Sequence, residues 1–141
     1  MNVKTNIYYY LSYMYRYIND IYIIRSNKQL NDYKEFAVSY VHSINMCLLQ
    51  IGEYASKIRR IQTDNNVLII DEASIPLNIL IGLRNRIAHS YDTIESKIIE
   101  SSINNDLPKV KEYIECNIEK RYWTIPTIVR KWIWRYSIVI K

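Results

Sequence analysis

The chain holds only two glycines and three prolines in 141 residues. That scarcity argues against a turn-rich all-β architecture, and a hydrophobic content of 49% argues against a disordered chain. The two cysteines, Cys47 and Cys116, have no further Cys or His at metal-ligand spacing, so no metal site is expected and both are read as reduced core thiols. No window reaches the ~18 uninterrupted apolar residues of a membrane span. The N-terminal stretch Met1 to Ile24 is interrupted by Arg16, Asp20 and many tyrosines, and lacks the apolar centre of a signal peptide. A cytoplasmic protein with no membrane span is the expectation. Acid is missing from one end: residues 121–141 carry Arg121, Arg130, Lys131, Arg135 and Lys141 but none of the 14 Asp and Glu, so the formal net charge of +5 resides there.

What is present is helical periodicity, at a length that suits one domain with a real core. Ile7, Leu11, Met14, Ile18 and Ile21 recur at spacings of four and three, the stripe of an amphipathic helix reaching about Arg25. A polar connection over Ser26 to Lys34 precedes a second stripe of Ala37, Val41, Ile44, Leu48, Ile51, Ala55 and Ile58, which predicts a helix of about 25 residues. The pattern lapses between Gln62 and Ser74, with Val67 to Ile70 as an apolar plug. Ser74-Ile75-Pro76 reads as the start of a third helix that turns Leu77, Leu80, Leu83 and Ile87 inward. Asp92 with Glu95 reads as a capping box for a fourth, carried by Ile94, Ile98 and Ile103. At Asp106-Leu107-Pro108 that helix either kinks or restarts, before Val110, Ile114 and Ile118 take it to about Lys120. The expected architecture is all-α: an antiparallel four-helix bundle over residues 1–120, followed by a basic, tryptophan-rich extension over 121–141.

The third helix ends in Leu83-Arg84-Asn85-Arg86-Ile87-Ala88-His89-Ser90-Tyr91. Histidine exchanges protons near neutral pH, and arginine carries a permanent planar charge suited to phosphate oxygens. The pattern R-N-x-x-x-H-x-Y, carried by Arg84, Asn85, His89 and Tyr91, resembles the signature of HEPN proteins, in particular their HepT-like branch. Three further segments look like the same family in the same order: Leu49 to Ile58 with its Ile-Gly-Glu core, the lead-in Ile75 to Leu83, and Asn105 to Val110. Together they span roughly residues 7 to 120.

The resemblance implies a HEPN-type bundle and a metal-independent endoribonuclease toxin that needs no cofactor. Arg84 would hold the scissile phosphate, His89 would move the proton of an RNA 2′-hydroxyl, Asn85 would orient His89 or bond a phosphate oxygen, and Glu53 is a possible supporting residue. On a helix, residues five apart stand ~140° round the axis, so Arg84 and His89 share a site only if the helix end unwinds or a second copy supplies the missing face. The resemblance implies the second, a homodimer with a composite cleft. It also implies a partner, a minimal nucleotidyltransferase antitoxin, that silences the nuclease by AMPylation of Tyr91.

Plainer readings stand beside these. Cations at a helix C-terminus complement its dipole, which would account for Arg84, Arg86 and His89 without catalysis. Glu53 suits a surface carboxylate, and Tyr91 a staple between loop and bundle. The tail, where Trp132, Trp134, Tyr136, Ile138 and Ile140 alternate, is open to four readings: a packed extension, a poorly ordered appendage, a basic aromatic arm for RNA, or an interfacial membrane contact. The alternative function is a noncatalytic helical module that binds a nucleotide or a nucleotidyltransferase.

Overall fold

Ile7, Leu11, Met14, Ile18 and Ile21 are all fully buried, on one stripe of α1 (Val3–Ser26). The structure, a computed structural model, describes residues 2–26, 34–89 and 96–123, with side chains over 2–26, 41–89 and 97–122. After α1 come α2 (Lys34–Asp64), α3 (Leu77–His89), α4 (Ser96–Ser101), a π-helical turn (Ser102–Asp106), α5 (Leu107–Asn117) and the short α6 (Lys120–Trp123). Every regular element among the described residues is helical, so the class is all-α.

Side-chain pairs fix the helix directions. Lys57 of α2 lies over Tyr10 and Tyr54 stacks on Tyr13, so α2 runs back along α1. Between α2 and α3, Arg59 donates to Asn78 and Arg84 donates to Glu53, each at 2.9 Å, again in opposite directions. Tyr15 donates to Glu115, while Arg25 donates to Asn104 and Glu100, which sets the α4–α5 arm antiparallel to α1. The result is the antiparallel four-helix bundle, with its core drawn from all four arms. Each fully buried Ile or Leu contributes ~1.5–3 kcal/mol. The expected inward residues Leu77, Leu80, Leu83 and Ile87 of α3, and Val110 and Ile114 of α5, are all buried.

Several expectations need correction. The second helix spans 31 residues rather than about 25. Val41 is exposed, because the α1–α2 register sets it level with the end of α1, where the covering helix runs out. Cys116 is exposed too, since two residues on from buried Ile114 it points away from the core. Cys47 is buried as expected, and that burial, with Asp20 nearby, pushes its thiol up to about 11 and keeps it uncharged at neutral pH.

The apolar plug is Ile70 with half-buried Ile69, whereas Val67 and Leu68 face solvent. Gln62 explains this: its Oε1 accepts from the backbone N–H groups of Ile69 and Ile70, and its Nε2 donates to the Ile70 carbonyl, which pins that end of the loop. Asn66, at φ 52°, closes α2 in a Schellman turn, with Val67 N–H bonded to the Gln62 carbonyl and Asn66 N–H to that of Thr63.

At Pro108 the backbone stays helical by widening into the π turn, where Leu107 N–H bonds back to the Ser102 carbonyl. Proline has no N–H to give and would crowd the carbonyl four residues back, so one wide turn removes the conflict. The helix that carries Ile98 and Ile103 is described from Ser96; Ile94 and the capping box Asp92–Glu95 lie outside the described residues, as do Tyr91, the connection 27–33 and the alternating segment of the tail. Of the tail, Tyr122 packs edge-on against Tyr8 and Tyr9 of α1.

Candidate active site

The site begins with how α3 starts. Pro76 supplies the first helical acceptor, to Leu80 N–H, so the helix opens at Leu77 rather than at Ser74. Ser74 instead closes a turn onto Asp71, whose carboxylate accepts from Ser74 N–H at 2.8 Å; hydrogen bonds from Ser74 hold that carboxyl below its usual value. Glu72 accepts from Asn78 N–H with both carboxylate oxygens, which places negative charge at the N-terminal end of α3. With Arg59 bonded to Asn78, the start of α3 is tied both to α2 and to the loop that precedes it.

Two turns further, α3 crosses α2 at Gly52. A Cβ on Gly52 would overlap the Cβ of Arg84 and stand 2.9 Å from the Leu80 carbonyl oxygen. Glycine in a helix interior costs ~1 kcal/mol relative to alanine, and here it allows the two backbones to approach. Arg84 then runs past Gly52 to its neighbour Glu53, donating from Nη1 to Oε1 at 2.9 Å. Its Nε and Nη2 both donate to Asn85 Oδ1, at 3.1 and 2.7 Å. Three of the five guanidinium N–H groups are thereby fixed, and among the described residues nothing takes the remaining one on each Nη, which leaves both for a ligand. With Oδ1 engaged, Asn85 has its two amide N–H groups to offer.

His89 is the last residue of α3 and is exposed, with the helix regular through it. Arg84 faces α2, whereas His89 stands one turn beyond Asn85 on the outward face. Unwinding of the helix end is therefore not what brings Arg84 and His89 together. Asn85, on the face that carries His89, accepts from Arg84. The remainder of that outward face is Asn78, Ile79, Gly82 and Arg86, all exposed; Ile79 is 52% exposed and a Cβ on Gly82 would meet nothing among the described residues.

Of the residues expected at the site, the structure joins Arg84, Asn85 and Glu53, places His89 one turn on, and does not describe Tyr91. Gly52 entered the sequence reading only as part of the Ile-Gly-Glu core, without its packing role. The available signal was a glycine, one of only two in the chain, inside a long helical stripe. Among the described residues no three His, Cys, Asp or Glu side chains are grouped to hold a metal ion, and no helix is long and apolar enough to cross a membrane.

Fold and motif together define a four-helix bundle that presents an Arg-Asn and a His near the C-terminal end of its third helix. The chain belongs to the ribonuclease HepT-like family, whose model matches residues 14–116, a span that includes Gly52, Glu53, Arg84, Asn85 and His89. No curated protein and no solved structure matches it.

Proposed function

We propose that the protein is a metal-independent endoribonuclease, the toxin of a HEPN/nucleotidyltransferase toxin–antitoxin system, acting as a homodimer. The observation that carries this reading is the guanidinium of Arg84, fixed by Glu53 and Asn85 with two N–H groups to spare, one turn from an exposed histidine. His89 takes the proton of an RNA 2′-hydroxyl, whose oxygen attacks the adjacent phosphorus. The bond to the 5′-oxygen breaks, that oxygen gains a proton, and the products are a 2′,3′-cyclic phosphate and a 5′-hydroxyl. Arg84 holds the phosphate and offsets the charge that grows in the transition state. A 2′-hydroxyl nucleophile selects RNA over DNA.

Geometry supports a second copy. Arg84 and His89 stand on different sides of α3, and the outward face with Ile79 and Gly82 suits close approach by the same helix of a partner. In the dimer, Arg84 of one copy and His89 of the other complete one site. Tyr91 is the switch: its phenolic oxygen attacks the α-phosphate of ATP on the nucleotidyltransferase antitoxin, pyrophosphate leaves, and the attached AMP covers the cleft and offsets its charge.

The test is RNA cleavage by purified protein in excess EDTA, comparing wild type with His89→Ala at matched circular dichroism. Cleavage that persists in EDTA, leaves 2′,3′-cyclic ends and disappears in His89→Ala is the expected result. A wild type of unmodified mass that leaves RNA intact would overturn it and favour a noncatalytic module that binds a nucleotide or the nucleotidyltransferase.

A further inference from the structure

The seam between α1 and α2 carries a surface that the Arg84 site does not use. Tyr10, Tyr13 and Tyr17 recur along α1 and gather around Tyr54 of α2. The Tyr13 and Tyr54 rings stack at 5.2 Å with their planes 25° apart, Tyr17 lies 6.3 Å from Tyr54 at 26°, and Tyr10 lies 5.9 Å away at 34°. Two cations rest on the array: Lys57 Nζ is 5.1 Å from the centre of the Tyr54 ring, and the Arg16 guanidinium is 5.6 Å from that of Tyr13. Tyr13, Arg16 and Lys57 are all exposed. The core beneath is already filled by Leu11, Met14, Ile18, Leu48, Ile51 and Ala55. An aliphatic seam would close it equally well without presenting rings and cations to solvent.

Position gives the array its meaning. Glu53, Lys57 and Arg60 follow one another at helical spacing on the outward face of α2, and Glu53 is the residue that holds Arg84. The array and the Arg84 site thus flank one helix, whose diameter with side chains is ~10 Å. Of the nearby acids, Glu53 is paired with Arg84, and half-buried Asp20 offsets only part of the Arg16 charge. Cations beside aromatic faces match a strand that exposes phosphates and unpaired bases together; a duplex hides its bases, and an acidic polypeptide leaves the rings unused.

We propose that Tyr13 and Tyr54, with Arg16 and Lys57, form a second nucleic-acid site: a stacking platform for unpaired bases of single-stranded RNA. Phosphates of the bound strand lie along Arg16, Lys57 and Arg60, and a neighbouring phosphodiester enters at Arg84. A base settles over the Tyr13 ring against the Arg16 guanidinium, two planar surfaces on which bases stack. The identity of the strand as RNA rests on the ribonuclease reading; the platform itself rests on the seam.

The test is fluorescence anisotropy with a labelled 12-nucleotide RNA whose 2′-hydroxyls are methylated, so that binding is read without cleavage, using the full chain. The Arg16→Glu/Lys57→Glu double variant, altered only at exposed charges, is expected to bind at least about tenfold more weakly, with a salt slope shallower by ~1.4, two charges at ~0.7 each. Tyr13→Ala, which leaves the charges in place, is expected to lose about five- to tenfold in affinity with the salt slope unchanged. Cleavage of a dinucleotide, too short to reach the seam, is expected to stay at the wild-type rate in both. Wild-type affinity in the double variant, absence of RNA binding by the wild type, or equal affinity for polyglutamate of the same charge would each overturn the platform, the last in favour of an acidic protein partner. A wild type that binds the methylated strand in a seam-dependent way but cleaves no RNA would leave the platform standing and remove the nuclease reading, so the two failures are separable.

Discussion

Gly52 lies directly beneath Arg84, so close that any side chain on the glycine would occupy the space of the arginine's own Cβ. The site arginine is thus placed by backbone proximity before any hydrogen bond is made. Gly52→Ala is expected to push α3 away from α2, costing ~1–3 kcal/mol of stability, as overpacking of a closed contact does. RNA cleavage at matched folding should fall with it. Urea unfolding and a cleavage assay on the same samples check this; an alanine variant as stable and active as wild type would show that the approach is dispensable.

Gly82 is the control on the same bundle. A Cβ there meets nothing among the described residues, so Gly82→Ala should raise stability by up to ~1 kcal/mol through helix propensity. Gly82→Trp, by contrast, should block the outward face of α3. Light scattering should then report a monomer, and cleavage should vanish while circular dichroism stays unchanged.

Glu53 is half-exposed, so its ion pair with Arg84 is expected to contribute less than ~1 kcal/mol to stability. Its proposed value lies in aiming the guanidinium. Glu53→Ala should therefore unfold almost as wild type does yet cleave RNA about tenfold more slowly, whereas Glu53→Gln, which still accepts the Arg84 hydrogen bond, should recover most of the rate. Equal rates in Ala and Gln variants would remove the positioning role.

Two aspartates should give opposite pH responses. Burial raises the Asp20 carboxyl, with Arg16 offsetting part of the effect. A carboxyl raised on folding favours the fold only while protonated: that contribution is complete below the unfolded value near ~4 and is lost as pH rises through the folded value. Asp20→Asn should hence raise the thermal midpoint at pH 7 and change little near pH 3. Asp71 is lowered by hydrogen bonds from Ser74, so its contribution is present above the unfolded value and disappears as pH falls through the folded one. Asp71→Ala should lower the midpoint at pH 7 by more than it does in strong acid.

Periodicity made the bundle legible because the buried stripe of a helix recurs in the chain itself: Ile7 through Ile21 were readable as one face and are buried as one face. The place of Arg84, Asn85 and His89 near the end of α3 was legible for the same reason. Glu53 and Arg84 are 31 residues apart, and no local rule pairs them; that needs the register of α2 against α3, which Gly52 and the Arg59–Asn78 bond set in three dimensions. Val41 fits the stripe of its own helix and is exposed only because α1 ends beside it. Proline at 108 announced a disturbance, but whether the helix would break or widen depended on what the rest of the turn could bond.

The most direct measurement mixes two inactive variants. Arg84→Ala and His89→Ala are purified separately, each expected to lose at least ~10²-fold in cleavage rate. They are then combined under conditions of subunit exchange. If Arg84 of one copy serves with His89 of the other, each mixed dimer retains one intact site, and random pairing should restore about a quarter of the wild-type rate. A mixture that stays at background, with exchange verified by mass, would contradict a site shared between two copies.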